Sequence, residues 1–154
     1  TIEVIHTPGH ASNHLCFLIK DLNCLITGDH IMDGSTVVIA PPDGCMSGYI
    51  QSLKKLINYE INYLAPGHGE YMYEPYTVIK SIIEHRLKRE EKVLDRLRKN
   101  NESKIEDLVL SVYDDVDSRL HPIALLSLEA HLIKLKNDQK IMFCEDSSLW
   151  KSQD

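Results

Sequence analysis

Three short stretches carry side chains able to do chemistry together: His6-Thr7-Pro8-Gly9-His10, Thr27-Gly28-Asp29-His30 and Ala65-Pro66-Gly67-His68-Gly69. Each follows an apolar run and contains a glycine turn that presents a histidine or an aspartate. Imidazole nitrogen and carboxylate oxygen suit Zn²⁺, and they also suit manganese or iron. His10, Asp29 and His68 are the candidate ligands. Each one alone has a plainer reading, as a polar loop histidine or as a turn carboxylate capping backbone N–H groups. His6, His10 and His14 are spaced by four, but Pro8 and Gly9 argue against a helix that would stack them.

These turns need strands behind them. Residues 3–5 form a short apolar strand candidate. The runs 14–20 and 23–27 are rich in Leu, Ile, Phe and Cys, and Asp21-Leu22 between them reads as a hairpin turn. Residues 33–44 form a loop with one brief extended piece at 37–39, and Asp43 is expected to cap the helix after it. In that helix Met46, Tyr49, Ile50, Leu53, Leu56 and Ile57 recur with helical period. Residues 61–65 then read as the next strand. Strand, helix and strand in succession mark an α/β layer, in which loops at the carboxyl edge converge on one crevice.

Pro75 opens a long helical pattern to about residue 100, whose charged residues read as a solvated face. Asn100-Asn101-Glu102 is the best boundary, dividing the chain into 1–100 and 101–154. Beyond it, Ser103-Lys104-Ile105-Glu106 has the pattern of a capping box. A second helix opens at Pro122, and the segments 140–143 and 148–151 read as a hairpin. Helix, helix and hairpin outline a winged helix.

Composition bounds the function. The chain has 154 residues and a net charge of −6. No apolar run approaches the ~20 residues that span a bilayer. Residues 101–154 carry 6 bases and 11 acids, which argues against non-specific nucleic-acid binding through that end. The leucine-rich second helix reads instead as a packing or dimerisation surface. The four cysteines contain no C-x-x-C pair and read as reduced thiols of a cytoplasmic protein. The first residues read as a chain entered in mid-strand, so a longer parent polypeptide is expected.

Taken together, H-T-P-G-H, T-G-D and P-G-H-G resemble the later metal motifs of the metallo-β-lactamase superfamily. Gly34-Ser35-Thr36 through Pro41-Pro42-Asp43-Gly44, and Ser127-Leu128-Glu129-Ala130-His131-Leu132, are similar to its lactamase-β-like branch, which carries a C-terminal winged-helix module. The resemblance covers nearly the whole chain. It implies an α/β fold: the C-terminal half of an αββα sandwich followed by a small winged-helix-like α+β domain.

The resemblance further implies a hydrolase using water activated at a dinuclear zinc site. His10 then matches a ligand of the first metal, Asp29 the carboxylate bridging both metals, and His68 a ligand of the second. His6, His14 and His30 match neighbouring positions but not the ligand positions, and read as supporting the ligands, for instance by donating to a carboxylate or backbone oxygen, or as structural. Ser35 and Thr36 fall on the substrate loop. The family's H-x-H-x-D-H motif has no counterpart here, so the upstream half of the same protein is needed and this piece alone is expected to be inactive. The implied substrates are small esters or thioesters, or single-stranded RNA. Two other classes stand beside this reading: a non-catalytic interaction module that dimerises through its C-terminal part, and a winged-helix nucleic-acid binder.

Overall fold

The computed structural model describes residues 1–153. The described chain divides into two compact units, Thr1–His85 and Arg86–Asp154. The sequence-derived division at 100/101 lies further along the chain, at the end of the helix that begins at Pro75.

The first unit is a four-stranded sheet in the order β1-β2-β3-β4, with β1 Ile2–His6, β2 Leu15–Ile19, β3 Cys24–Gly28 and β4 Tyr63–Pro66. β2 is antiparallel to both β1 and β3, and β4 is parallel to β3. Therefore β1, β3 and β4 all run the same way, and their carboxyl ends share one edge. The hairpin expected at Asp21-Leu22 joins β2 to β3.

Successive strand residues face opposite sides. Ile5, Cys16, Leu18 and Leu25 are buried, whereas Ile2, Val4, Leu15, Phe17 and Ile26 on the other face are 37–60% exposed. α1, Met46–Leu56, buries Tyr49, Ile50, Leu53 and Leu56 on its apolar stripe. Its cap is the Cys45 side chain, which accepts from the Gly48 N–H. Asp43 does not cap this helix, because its carboxylate is drawn to the Ser12 N–H at 3.2 and 3.3 Å.

α2 spans Pro75–Asn100, and its residues from Arg86 onward belong to the second unit. That unit adds β5 Glu102–Ser103, α3 Ile105–Val112, α4 His121–Asn137, β6 Ile141–Cys144 and β7 Leu149–Ser152, with sheet order β5-β7-β6. Val93, Leu97, Leu108, Val112, Leu132 and Trp150 belong to its continuous core.

Two expectations fail in this second unit. Ser103 forms no capping box, because it pairs with Trp150 in the sheet and Lys104 caps α3 without a side-chain bond. The charged stretch of α2 is not a wholly solvated face, since Arg86, Arg89 and Glu90 are 3–8% exposed. Arg89 makes a forked pair with Asp115 at 2.6 and 3.0 Å and lies over the Tyr113 ring. Lys134 donates to Glu90 at 2.9 Å. Pairing is what lets such groups sit inside.

Candidate metal centre

Each candidate ligand sits just past a strand end, held by backbone contacts. After β1, the Pro8 carbonyl accepts from Ser52 Oγ and the Gly9 carbonyl accepts from the Cys45 N–H. Gly9 has φ +148°, and a Cβ there would lie 2.3 Å from the Tyr49 Cα. Only glycine lets this turn press against α1. His10 follows it, and its Nδ1 lies 2.8 Å from the Val38 carbonyl oxygen. A carbonyl can only accept, so Nδ1 carries the proton. In the neutral ring, Nε2 then keeps its lone pair. That is the tautomer a metal ligand uses when its other nitrogen is held by a backbone oxygen.

After β3 and β4 the next two turns meet directly. The Gly67 N–H donates to the Gly28 carbonyl at 2.9 Å. A Cβ on Gly67 would come within 3.1 Å of Asp29 Oδ1. The result is an Asp29 Oδ1 to His68 Nε2 separation of 3.3 Å, at the solvent-facing edge. The Asp33 N–H donates to the His68 carbonyl and fixes that turn from the other side.

The remaining histidines divide by environment. His6 Nε2 lies 2.8 Å from the Ser12 carbonyl and donates to it. His14 Nδ1 is 2.9 Å from the Thr7 hydroxyl. Burial lowers the His14 pKa, the neighbouring His10 lowers it further, and Asp29 opposes them. His30 is fully buried, edge-on to the Tyr49 ring, with neither ring nitrogen hydrogen-bonded. Burial, with His14 and His10 nearby, pushes its pKa down to about 3. It is neutral and donates to no carboxylate or backbone oxygen, so it serves as packing.

Ser35 and Thr36 sit on the segment that follows Asp33 and Gly34. They line a cavity of about 230 Å³ together with Met32, Tyr49, Ile82 and His85. Sequence reading missed three contributors. Val38 cradles His10 through its carbonyl, which no side-chain pattern reveals. Thr7 is fully buried and holds His14. Tyr49 looked like one more apolar-stripe residue, yet its hydroxyl donates to the His30 carbonyl at 2.9 Å. Among the described residues, no three His, Cys, Asp or Glu side chains converge closely enough to hold a metal ion by themselves. The donor types and the His10 tautomer therefore fit part of a metal site and not a whole one.

Residues 1–68 match the family model described as metallo-beta-lactamase superfamily, and residues 105–150 match that of the beta-lactamase associated winged helix domain. The chain belongs to the metallo-β-lactamase superfamily. It is 31% identical over 142 residues to the beta-lactamase-like protein 2 homolog of Drosophila melanogaster, covering 91% of this chain and 47% of that protein. It is 30% identical over 146 residues to an atrochrysone carboxyl ACP thioesterase of Emericella nidulans, covering 93% and 46%. A metallo-beta-lactamase family protein from Thermus thermophilus superposes with a TM-score of 0.86 at 18% identity, over 99% of this chain and 49% of that one. The fold is thus the mixed α/β metallo-β-lactamase fold with the C-terminal winged-helix module expected from the sequence. The chain spans about half the length of the curated relatives it matches.

Proposed function

We propose that this chain is the later half of a metal-dependent hydrolase, and that His10, Asp29 and His68 are three of its ligands at a dinuclear zinc site. The supporting observation is that three glycine turns lie along one sheet edge, with Asp29 and His68 3.3 Å apart and the His10 Nε2 left as an acceptor. Manganese or iron would accept the same donors. When bound, such ions lower the pKa of water toward ~7 and polarise the oxygen under attack. The protein's own part is to fix the ligands: Val38 sets the His10 tautomer, and the Gly28–Gly67 contact brings Asp29 to His68.

The remaining ligands come, in this reading, from the upstream half of the same protein. The exposed apolar face of the first sheet supports this, because it is the surface a second sheet layer would cover. The 154-residue piece alone is then inactive. Substrates are an ester or thioester, or a single-stranded RNA phosphodiester, in the cytoplasm. The thioesterase name of one relative supports the first class.

The deciding experiment measures zinc, iron and manganese on the full-length natural polypeptide and on His10→Ala, Asp29→Asn and His68→Ala. About two metals per chain, reduced in every variant, is the expected result. Full metal content in all three variants would sink the assignment. A homodimer through α4 is a further proposal, supported by Ile123, Leu126 and Ile133 at 37–50% exposure. Light scattering on an Ile133→Glu variant tests it. A nucleic-acid-reading winged helix is the weaker alternative, since Arg86 and Arg89 are buried and unavailable to phosphates.

A further inference from the structure

The cavity beneath residues 32–38 is tied to the candidate metal centre at two points. Its wall residue Val37 precedes Val38, whose carbonyl holds His10. Its wall residue Met32 precedes Asp33, whose N–H holds the His68 carbonyl. The same short segment thus lines the cavity and holds the turns of His10 and His68. The volume, about 230 Å³, is below the ~300–1,000 Å³ of sites for drug-sized ligands.

The lining is mixed and includes one imidazole. Ser35, Thr36, Ser81 and His85 supply hydroxyls and a ring nitrogen, while Met32 and Ile82 supply apolar surface. No Lys, Arg, Asp or Glu is among its described lining residues. A phosphodiester brought here would lose its hydration without meeting a fixed cation, which is costly. Sites that track single-stranded RNA instead offer a basic groove with stacking aromatics. A short acyl chain has neither demand. Its methylenes fit Met32 and Ile82, and a ketone or hydroxyl along it would meet the hydroxyls and His85.

We propose that this cavity takes the acyl half of a short carboxylic ester or thioester, with His85, Ser35 and Thr36 selecting oxygen substituents on that chain. This rests on the hydrolase reading and narrows its substrate to the acyl class. The test uses the full-length natural polypeptide and hexanamide, an unhydrolysed mimic of the acyl half, with binding followed by NMR chemical shifts. Hexanamide is expected to perturb Thr36 and Ile82 resonances. Ile82→Trp, which fills the cavity, should weaken binding at least tenfold while leaving metal content unchanged. Ser81→Phe, at the exposed rim, repeats the test should Ile82→Trp fail to fold.

His85→Phe should retain hexanamide binding but lose any preference for 3-oxohexanamide. No amide binding by the unsubstituted protein, or equal binding by both filled variants, overturns the proposal while leaving metal content and hydrolysis to stand. Displacement of hexanamide by a short oligoribonucleotide also overturns it. Amide binding in a protein that holds no metal and hydrolyses no ester or thioester removes the hydrolase reading, and the substrate role of the cavity with it.

Discussion

The two units finish their cores differently. In Arg86–Asp154 the apolar residues of α2, α3, α4 and the small sheet close on one another, and Leu108, Val112, Leu128 and Leu132 are fully buried. The charges that fall inside, Arg89 and Glu90, have partners in Asp115 and Lys134. In Thr1–His85 the sheet buries one face and shows Ile2, Val4 and Phe17 on the other. Strands apolar on both faces belong to sheets covered on both sides. The first unit thus leaves one apolar face of its sheet uncovered, whereas the second closes a core around its helices and shows apolar residues such as Ile123 and Ile133 only outside it.

On the hydrolase reading proposed above, the largest effect expected is at the candidate metal centre. Replacing Asp29 by Asn in the full-length natural polypeptide should lower hydrolysis of its best substrate by more than the ~10–100-fold typical of losing a ligand's supporting contact. Replacing His131 should leave hydrolysis within twofold. Steady-state kinetics on both variants checks this contrast between the units.

Next comes the open face. Phe17→Ala should cost under ~0.5 kcal/mol in the 154-residue chain, where Phe17 is exposed. If an upstream layer covers it, the same change should cost about 3–5 kcal/mol in the full-length protein. Leu132→Ala, inside the closed module, should cost about 2–5 kcal/mol in both contexts. Urea denaturation of the two lengths measures the difference, and an equal Phe17→Ala cost would remove the second-layer reading.

A smaller effect is expected at the Arg89–Asp115 fork. Arg89 holds the Asp115 carboxyl down to about 2, but Asp115 is 58% exposed. After allowing for solvent screening, Asp115→Ala should cost about 1–2 kcal/mol. The smallest is the pH response of the second unit. Burial lowers the His131 pKa, with Glu90 opposing. A depressed histidine contributes stability that is complete above its unfolded value near ~6.5 and lost as pH falls below it. Urea midpoints followed through Trp150, the single tryptophan, should fall from pH 7.5 to pH 5.5, and His131→Phe should flatten that fall.

The elements were legible because their signals are local. β1 to β4, α1 and the hairpin of β6 and β7 stand where period and turn residues put them. The misreadings came where a charged or polar side chain had two possible partners. Asp43 could cap α1 or reach Ser12, and Ser103 could cap α3 or enter a strand; nothing in the spacing ranks such options. Arg89 and Glu90 carry the pattern of an exposed helix face, yet they are buried because Asp115 and Lys134 arrive from distant segments.

By itself, the sequence determined that three turns bearing His10, Asp29 and His68 would end strands of one sheet, because glycine turns and apolar runs act within a few residues. It also determined the family, since those motifs and their order are written in the chain. Only the tertiary structure decided that β1, β3 and β4 run the same way, so that Asp29 meets His68 and Val38 fixes the ring of His10. It likewise decided that Ser35, Thr36 and His85, some fifty residues apart, border one cavity. Strand direction and long-range packing are set by the free energy of the whole fold, and no window of sequence contains that sum.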